Sequence, residues 1–498
     1  MIVDLVVDAD GFYPWMRRLA DELAMTHDVR VRRSGGGEPL PSVVATLLAL
    51  EDIVYRRQTR RHRRLPAEGL TNGDAEIADV ALLLGRERTV SPARLVLRPR
   101  FAGGLGDLAI FDALLAGVSP PIVIEDVAGG VALSSGTASL ETADCLLAGL
   151  DSIGSRTALL LEQAIRRPAP PSRAAASLRA ADAIGPARAA KSLARGLASR
   201  SARALYRLCC HAPHWRIGWR LTDEDVWSRR DLGGTRWTAL PDPGHRFYAD
   251  PFAIVWQGRH FLFFEDLDHR TGKGIISFAE IVDGVPGPVT PVLEEAWHLS
   301  YPFLFERNGE IFMIPESSAC RDVAVYRAVE FPHRWERHAQ LLSGVEAADA
   351  TLVEHGDRWW MFAVTRPNTG GYSDTLSIWH APDPFGPWQA HAGNPLLIDP
   401  ATARPAGQFV RIGGQLMRPV QDCTDGYGAA LGLACVDRLD VEGFSQTVET
   451  ILRPGTHWPG RKLHTLNKAA RLEVIDGCIL RPKVRSMATL ADRFYRPD

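Results

Sequence analysis

The chain has 498 residues, 46% of them hydrophobic and 23% charged, the make-up of a soluble globular protein too long for one ordinary domain. Its formal net charge is -2, so no overall field draws it to nucleic acid or to an anionic surface. Seven cysteines without a CxxC pair signal neither zinc nor a disulfide framework and suit a reducing cytoplasm, and no apolar run reaches the roughly 18 residues of a membrane span.

The opening stretch is interrupted by Asp4, Asp8 and Asp10 and has no basic leader, so it reads as a strand over 2–7 and not as a signal peptide. Trp15, Leu19 and Leu23 are spaced four apart and predict a helix over 12–25. A strand over 29–33, a helix over 41–55, strands over 80–84 and 94–97, a helix over 109–115 and a strand over 121–124 follow. This alternation predicts an α/β, doubly wound, Rossmann-like domain over residues 1–165. Two glycine-rich loops, Ser34-Gly-Gly-Gly-Glu and Phe101-Ala-Gly-Gly-Leu-Gly, invite a phosphate but have neither GxGxxG nor P-loop spacing.

Residues 166–212 form a basic Ala/Arg-rich segment that opens on Arg166-Arg-Pro-Ala-Pro-Pro-Ser. Arg173, Arg179, Arg188, Lys191, Arg195, Arg200, Arg203 and Arg207 accompany a narrow stripe of Leu178, Ile184, Leu193, Leu197 and Leu205. Such a segment serves either as a linker helix packed on a neighbour or as a peripheral contact with the inner membrane.

From residue 213 to the end, a unit of about fifty residues recurs five times. The openings are Asp250-Pro-Phe, Tyr301-Pro-Phe, Asp349-Ala-Thr, Arg404-Pro-Ala and His464-Thr-Leu. Each leads through an apolar strand and a glycine-centred turn (in the fifth, Ile475-Asp-Gly-Cys) into a second strand. That pattern predicts a five-bladed β-propeller with the opening residues on the central channel. Residues 217–237 are expected to supply outer strands that close the ring on the last blade. The channel then collects Asp250, Tyr301, Asp349, Arg404 and His464, backed by Glu265, Glu316 and Arg418, with Gln421 three residues beyond Arg418. Crowded carboxylates are expensive, and their retention points to proton chemistry or sugar binding. Arg404, Arg418 and His464 opposite them suit an anionic sugar or a nucleotide-sugar donor. No cofactor motif and no metal-ligand spacing is present.

Tyr248-Ala-Asp-Pro-Phe, Phe263-Phe-Glu-Asp, Gly272-Lys-Gly-Ile-Ile-Ser, His298-Leu-Ser-Tyr-Pro-Phe and Met313-Ile-Pro-Glu-Ser-Ser resemble the N-terminal propeller domain of glucosamine inositolphosphorylceramide transferases. That domain is related to the arabinanase, β-xylosidase and levansucrase propellers. The resemblance covers roughly residues 215–490. It implies a carbohydrate-active protein working at a glycosidic bond in polysaccharide or glycolipid assembly, bacterial in view of the heavy use of Ala and Arg. It further implies Asp250 as general base and Asp349 as the orienting acid. The family's general acid is replaced by Arg418-Pro-Val-Gln421, so Glu316 is our candidate acid. Residues 1–165 resemble formyltransferase-type Rossmann-like domains, without their His-Pro-Ser or Asn/His/Asp signatures. Two other readings stand beside hydrolysis or transfer in the propeller: a non-catalytic module for glycans or nucleotide-sugars, and a formyl or glycosyl transferase acting through the first domain.

Overall fold

The structure, a computed structural model, describes residues 1–34, 40–55, 59, 61–66, 77–86, 92–166 and 184–497. The chain divides into two compact units, Met1–Ser201 with Asn368–Gly371, and Ala202–Pro367 with Tyr372–Asp498.

Among the described residues the first unit contains β1 (Ile2–Val7), α1 (Pro14–Leu23), β2 (Asp28–Arg33), α2 (Ser42–Val54), β3 (Ala78–Leu83), β4 (Ala93–Phe101), β5 (Gly104–Leu105), α3 (Gly106–Ala116), β6 (Pro121–Asp126), β7 (Val131–Thr137) and α4 (Leu146–Arg166). The sheet order is β2-β1-β3-β4-β6-β7, with β5 against β4. β1 to β4 pair in parallel, as the strand–helix alternation predicts. β6 and β7 are antiparallel, so the sheet is mixed and the doubly wound expectation fails on this side. Ala102 and Gly103, at φ 48° and 87°, turn the chain back on itself between Phe101 and Gly104 and join β4 to the short antiparallel β5, and β6 follows only after α3. The second glycine-rich loop is therefore a hairpin turn. The first, apart from Ser34, lies outside the described residues.

Of the basic segment, residues 167–183 lie outside the described residues, and Arg173, Leu178 and Arg179 with them. The next element, α5 (Pro186–Cys209), leaves Leu197, Leu205 and Leu208 exposed. No helix among the described residues is long and apolar enough to cross a membrane.

The second unit is a five-bladed propeller. Its blades open on the strands Arg246–Trp256, Ser300–Arg307, Ala347–His355, Val410–Ile412 and Leu466–Ala469. Leu466–Ala469 pairs with Leu472–Pro482, and this strand pairs with Cys210–Leu221 from the start of the unit. The ring thus closes on Cys210–Leu221, which begins before the expected stretch 217–237, with Thr238–Ala239, just beyond that stretch, outermost. Aromatic side chains fill the space between blades: Phe252, Phe261, Phe263, Tyr301, Phe303 and Trp335 belong to one buried cluster.

One local device repeats. In the first three blades the pairing slips by a residue between Ala249 and Phe252, Ser300 and Phe303, and Ala348 and Thr351. Two residues of the inner strand there face one of its partner, which is a β-bulge. The bulged residues Asp250, Tyr301 and Asp349 have φ of 50°, 44° and 58°. Left-handed backbone at non-glycine residues costs about 1–3 kcal/mol each and clusters where a side chain is aimed for a purpose.

Candidate functional site

The bulges deliver Asp250 and Asp349 into a buried polar network at the inner ends of the blades. Asp250 is 4% exposed and Asp349 2%. Asp250 Oδ1 accepts a hydrogen bond from Thr465 Oγ1 at 3.0 Å and lies 3.4 Å from His464 Nε2. His464 Nδ1 is 2.6 Å from Asp476 Oδ2. Asp476 also accepts from the backbone N–H groups of Asp250, His464 and Thr465 at 3.2, 3.1 and 3.1 Å. Four donors saturate this carboxylate and fix the histidine tautomer, with Nδ1–H toward Asp476. The imidazole is stacked on Trp215 at 3.9 Å.

This geometry sets the proton inventory. With Nδ1–H given to Asp476, His464 Nε2 and Asp250 Oδ1 can approach only if one proton lies between them. Burial pushes the Asp250 carboxyl up to about 7, the His464 cation opposing and Asp349 and Asp476 adding to the rise. Burial lowers the His464 pKa, but the charges of Asp476 and Asp250 outweigh it and raise it. Asp250 and His464 titrate as a coupled pair. Asp250, His464 and Asp476 are also the described residues that could hold a metal ion together, although the sequence spacing gave no such sign. Asp476 already has its full set of hydrogen bonds, so only Asp250 and His464 have capacity to turn toward a cation.

Asp349 is held differently. Arg404 Nε donates to its Oδ2 at 2.6 Å and Gln421 Nε2 at 3.0 Å. Burial raises the Asp349 carboxyl and Arg404 opposes the shift. Arg404 rises well above its usual range despite burial, mainly because of Asp349. Its guanidinium lies 4.7 Å over the Tyr427 ring.

Glu316 ends the second strand of its blade, Glu310–Glu316, whereas Glu265 lies inside that of the first blade, which continues to Asp268. Ser300 Oγ and the Ser318 N–H donate to the two oxygens of Glu316 at 3.0 and 2.8 Å. Glu265 Oε1 lies 3.3 Å from His298 Nε2. His298 Nδ1 accepts the Gly274 N–H at 2.9 Å, so its proton is on Nε2 and points at Glu265. Burial, with Asp250, Glu316 and Asp476 adding to it, pushes Glu265 well above the carboxylate range. A β-carbon on Gly274 would stand 2.6 Å from the Leu299 carbonyl oxygen, 2.7 Å from the His298 ring and 3.0 Å from Glu265 Oε1. Gly274→Ala is therefore expected to destabilise the propeller by about 1–3 kcal/mol, read from denaturant midpoints, and to disturb the Glu265–His298 pair.

Two expected ligand-facing residues turn inward instead. Tyr301 OH bonds Thr351 Oγ1 at 2.9 Å and its ring packs edge-on against Phe252 at 4.8 Å, so it belongs to the core between blades. Arg418 is 1% exposed, donates to the Ala403 carbonyl at 3.0 Å and lies 5.2 Å over the Phe362 ring. Burial lowers its pKa to about 9, with Tyr301 opposing. Asp476 and Thr465 were missed because Asp476-Gly477 reads as a turn. In the structure Asp476 and Gly477 lie inside the strand Leu472–Pro482, Thr465 directly precedes the strand Leu466–Ala469, and the turn falls at Ala470–Arg471. His298 carried a weak signal as a histidine beside a blade opening.

Residues 239–476 match the family model of the N-terminal domain of glucosamine inositolphosphorylceramide transferase 1. The propeller resembles that domain. The rice (japonica) protein of this name is 33% identical over 231 residues, 44% of this chain and 31% of its own length. The Arabidopsis thaliana protein is 32% identical over 265 residues, 50% of this chain and 34% of its own length. The chain thus spans about a third of the curated relatives it matches. These relatives are plant proteins and lend nothing to the bacterial origin expected from composition. Among solved structures, a family 117 glycoside hydrolase from Zobellia galactanivorans aligns at 13% identity and a TM-score of 0.34, over 50% of this chain and 78% of its own. An exo-β-1,3-galactanase from Clostridium thermocellum aligns at 10% and 0.33, over 46% and 54%.

Proposed function

We propose that the propeller binds a sugar-bearing substrate and works at its glycosidic bond, by transfer or hydrolysis, in glycan or glycolipid assembly. The observation that carries this reading is the convergence of four buried carboxyl groups, Asp250, Glu265, Glu316 and Asp349, from three blades. Two of them sit on strained bulges, and one shares a proton with a histidine. Asp250 serves as the general base, passing its proton toward His464, and Asp476 holds the imidazole. Asp349, fixed by Arg404 and Gln421, orients the substrate. The general acid is Glu265, whose carboxyl burial keeps protonated. Glu316, with both oxygens receiving hydrogen bonds, orients it or the substrate. The names of the plant relatives support a sugar as the transferred or cleaved group.

The experiment is a comparison of two variants on glycoside substrates with good and poor leaving groups. Glu265→Gln is expected to lose about 10²–10⁴-fold in turnover on poor leaving groups and to recover much of it on good ones. Glu316→Gln should lose less and show no such recovery. The opposite ranking returns the acid role to Glu316. The distance between acid and base carboxyls in a liganded structure should be about 6.5–9.5 Å for inversion and about 5–5.5 Å for retention.

A second reading is favoured by one observation, the arginine in the fourth blade where the related hydrolases place their acid. It makes the propeller a glycan or nucleotide-sugar binding module without turnover, serving a transferase reaction elsewhere. The exposed leucines and arginines of α5 support a peripheral contact with a membrane under either reading.

A further inference from the structure

The first unit has a charged centre of its own, at a place where α/β sheets bind ligands. From β1 the chain passes to β2 on one side and then to β3 on the other, so the connections diverge between the carboxyl ends of β1 and β3. In open parallel sheets that divergence leaves a crevice. Asp8 follows β1, and Arg86 follows β3. The Arg86 N–H donates to Asp8 Oδ1 at 2.9 Å and its Nε to Asp8 Oδ2 at 3.0 Å. Arg86 Nη2 reaches Asp10 at 2.9 Å, and Arg64 bridges Asp10 at 2.5 Å and Asp8 at 3.2 Å. Tyr13 OH donates to Asp107 Oδ2 at 2.8 Å. Gly85 leaves the room, since a β-carbon there would lie 2.4 Å from Asp8 Oδ1.

Two features show that this network is not closed on itself. Arg64 Nε is buried and has no hydrogen-bond partner among the described residues, whereas Asp107 Oδ1 forms an ion pair with Arg86 Nε at 3.2 Å. A cavity of about 300 Å³ opens beside Arg64, with Tyr13, Leu48, Ala49, Asp52 and Arg63 also in its lining and Arg63 paired with Asp52. That volume is at the lower end of small-molecule sites.

We infer that this crevice is a binding site for a nucleoside diphosphate. Tyr13, Leu48 and Ala49 in the lining take the base. Arg63 and Arg64 at the cavity rim take the diphosphate. If the propeller transfers sugars, a nucleoside diphosphate here supplies the donor half of that reaction. This consequence rests on the proposed function, whereas the binding itself does not.

The test is calorimetric titration of the full chain with UDP, GDP and ADP, with uridine and inorganic pyrophosphate as controls. At least one of the three should bind, more tightly than its nucleoside and more tightly than pyrophosphate. Arg63→Ala, at an exposed side chain, and Ala49→Trp, which fills the cavity from an exposed position, should each weaken binding at least about tenfold. Asp250→Asn should leave it unchanged. The inference is overturned if none of the three binds below about 1 mM, if pyrophosphate binds as well as the nucleotides, or if both variants retain affinity. Loss of binding in Asp250→Asn also overturns it, because the nucleotide then sits in the propeller. Nucleotide binding without turnover sinks only the proposed function, and turnover without nucleotide binding sinks only this site.

Discussion

Asp250→Asn is expected to lose about 10²–10⁴-fold in turnover, the usual contribution of a positioned base, while the folded protein becomes more stable at neutral and alkaline pH. Asparagine suits the position. It tolerates the left-handed backbone that Asp250 adopts at φ 50°, its oxygen can accept from Thr465, and its amide can donate to His464 Nε2. The gain in stability follows from the raised carboxyl. Its pKa is about 7 in the folded protein against 3.8 ordinarily. Between those values the folded state holds a proton that the unfolded chain has released, so stability falls as pH rises through this window and the loss is complete above it. An amide does not titrate and avoids the loss. Melting temperatures of parent and variant should coincide toward about pH 4 and separate, with the variant higher, above about pH 7. A group that costs stability and is needed for rate is the mark of a working site. If Asp250→Asn melts lower at every pH, the carboxylate is structural. If turnover is absent in the parent and only affinity changes, the binding-module reading takes over.

The propeller was legible because its signal is repetition. Five apolar strand pairs at one spacing leave few architectures, and the turns at Gln257-Gly258, Asn308-Gly309 and Gly413-Gly414 adopt the left-handed backbone that tight hairpins need. The helix Leu146–Arg166 was not legible. Asp151, Ser152, Ser155 and Arg156 are buried in it, and Gly149 and Gly154 interrupt it, so no apolar stripe stands out. In the candidate site the openings Asp250, Asp349, Arg404 and His464 were readable from blade symmetry. Their partners were not. Symmetry says which residues point inward, but not that His464 would pair with Asp250 and Asp476, or that Arg404 would pair with Asp349. Tyr301 obeys the same symmetry and the same bulge, yet its ring finds an apolar slot against Phe252, and burial decides its role. Side-chain choice between equivalent directions is a matter of packing, which a pattern of residue types does not contain.

Glu473→Ala is expected to be the most damaging single change to the propeller. Arg220 and Glu473 face each other across the strands that close the ring, one from the start of the unit and one from its last repeat. Both side chains are completely buried, with Arg220 Nη2 2.7 Å from Glu473 Oε2. Arg220 also donates to the carbonyls of Gly233 and Thr235 at 2.6 and 2.9 Å, and its guanidinium lies 4.0 Å over Trp237. Glu473 Oε1 accepts the Val226 N–H at 2.8 Å. The pair therefore organises the segment Val226–Trp237 as well as the closure. Removing the carboxylate strands a guanidinium with no route to water, a loss of about 3–5 kcal/mol, which in a unit of this size lowers its melting temperature by on the order of 10 °C. A buried ion pair need not be a net gain over apolar packing, so the double variant Arg220→Met/Glu473→Leu should recover a large part of the loss. Thermal melts of parent, both single variants and the double variant measure this coupling. Should Glu473→Ala melt within a degree or two of the parent, the closure depends on backbone pairing and apolar contacts, and the buried pair contributes little. Should the double variant fall further than either single one, the charges themselves hold the ring shut, because then neither packing nor the relief of a stranded charge can replace them.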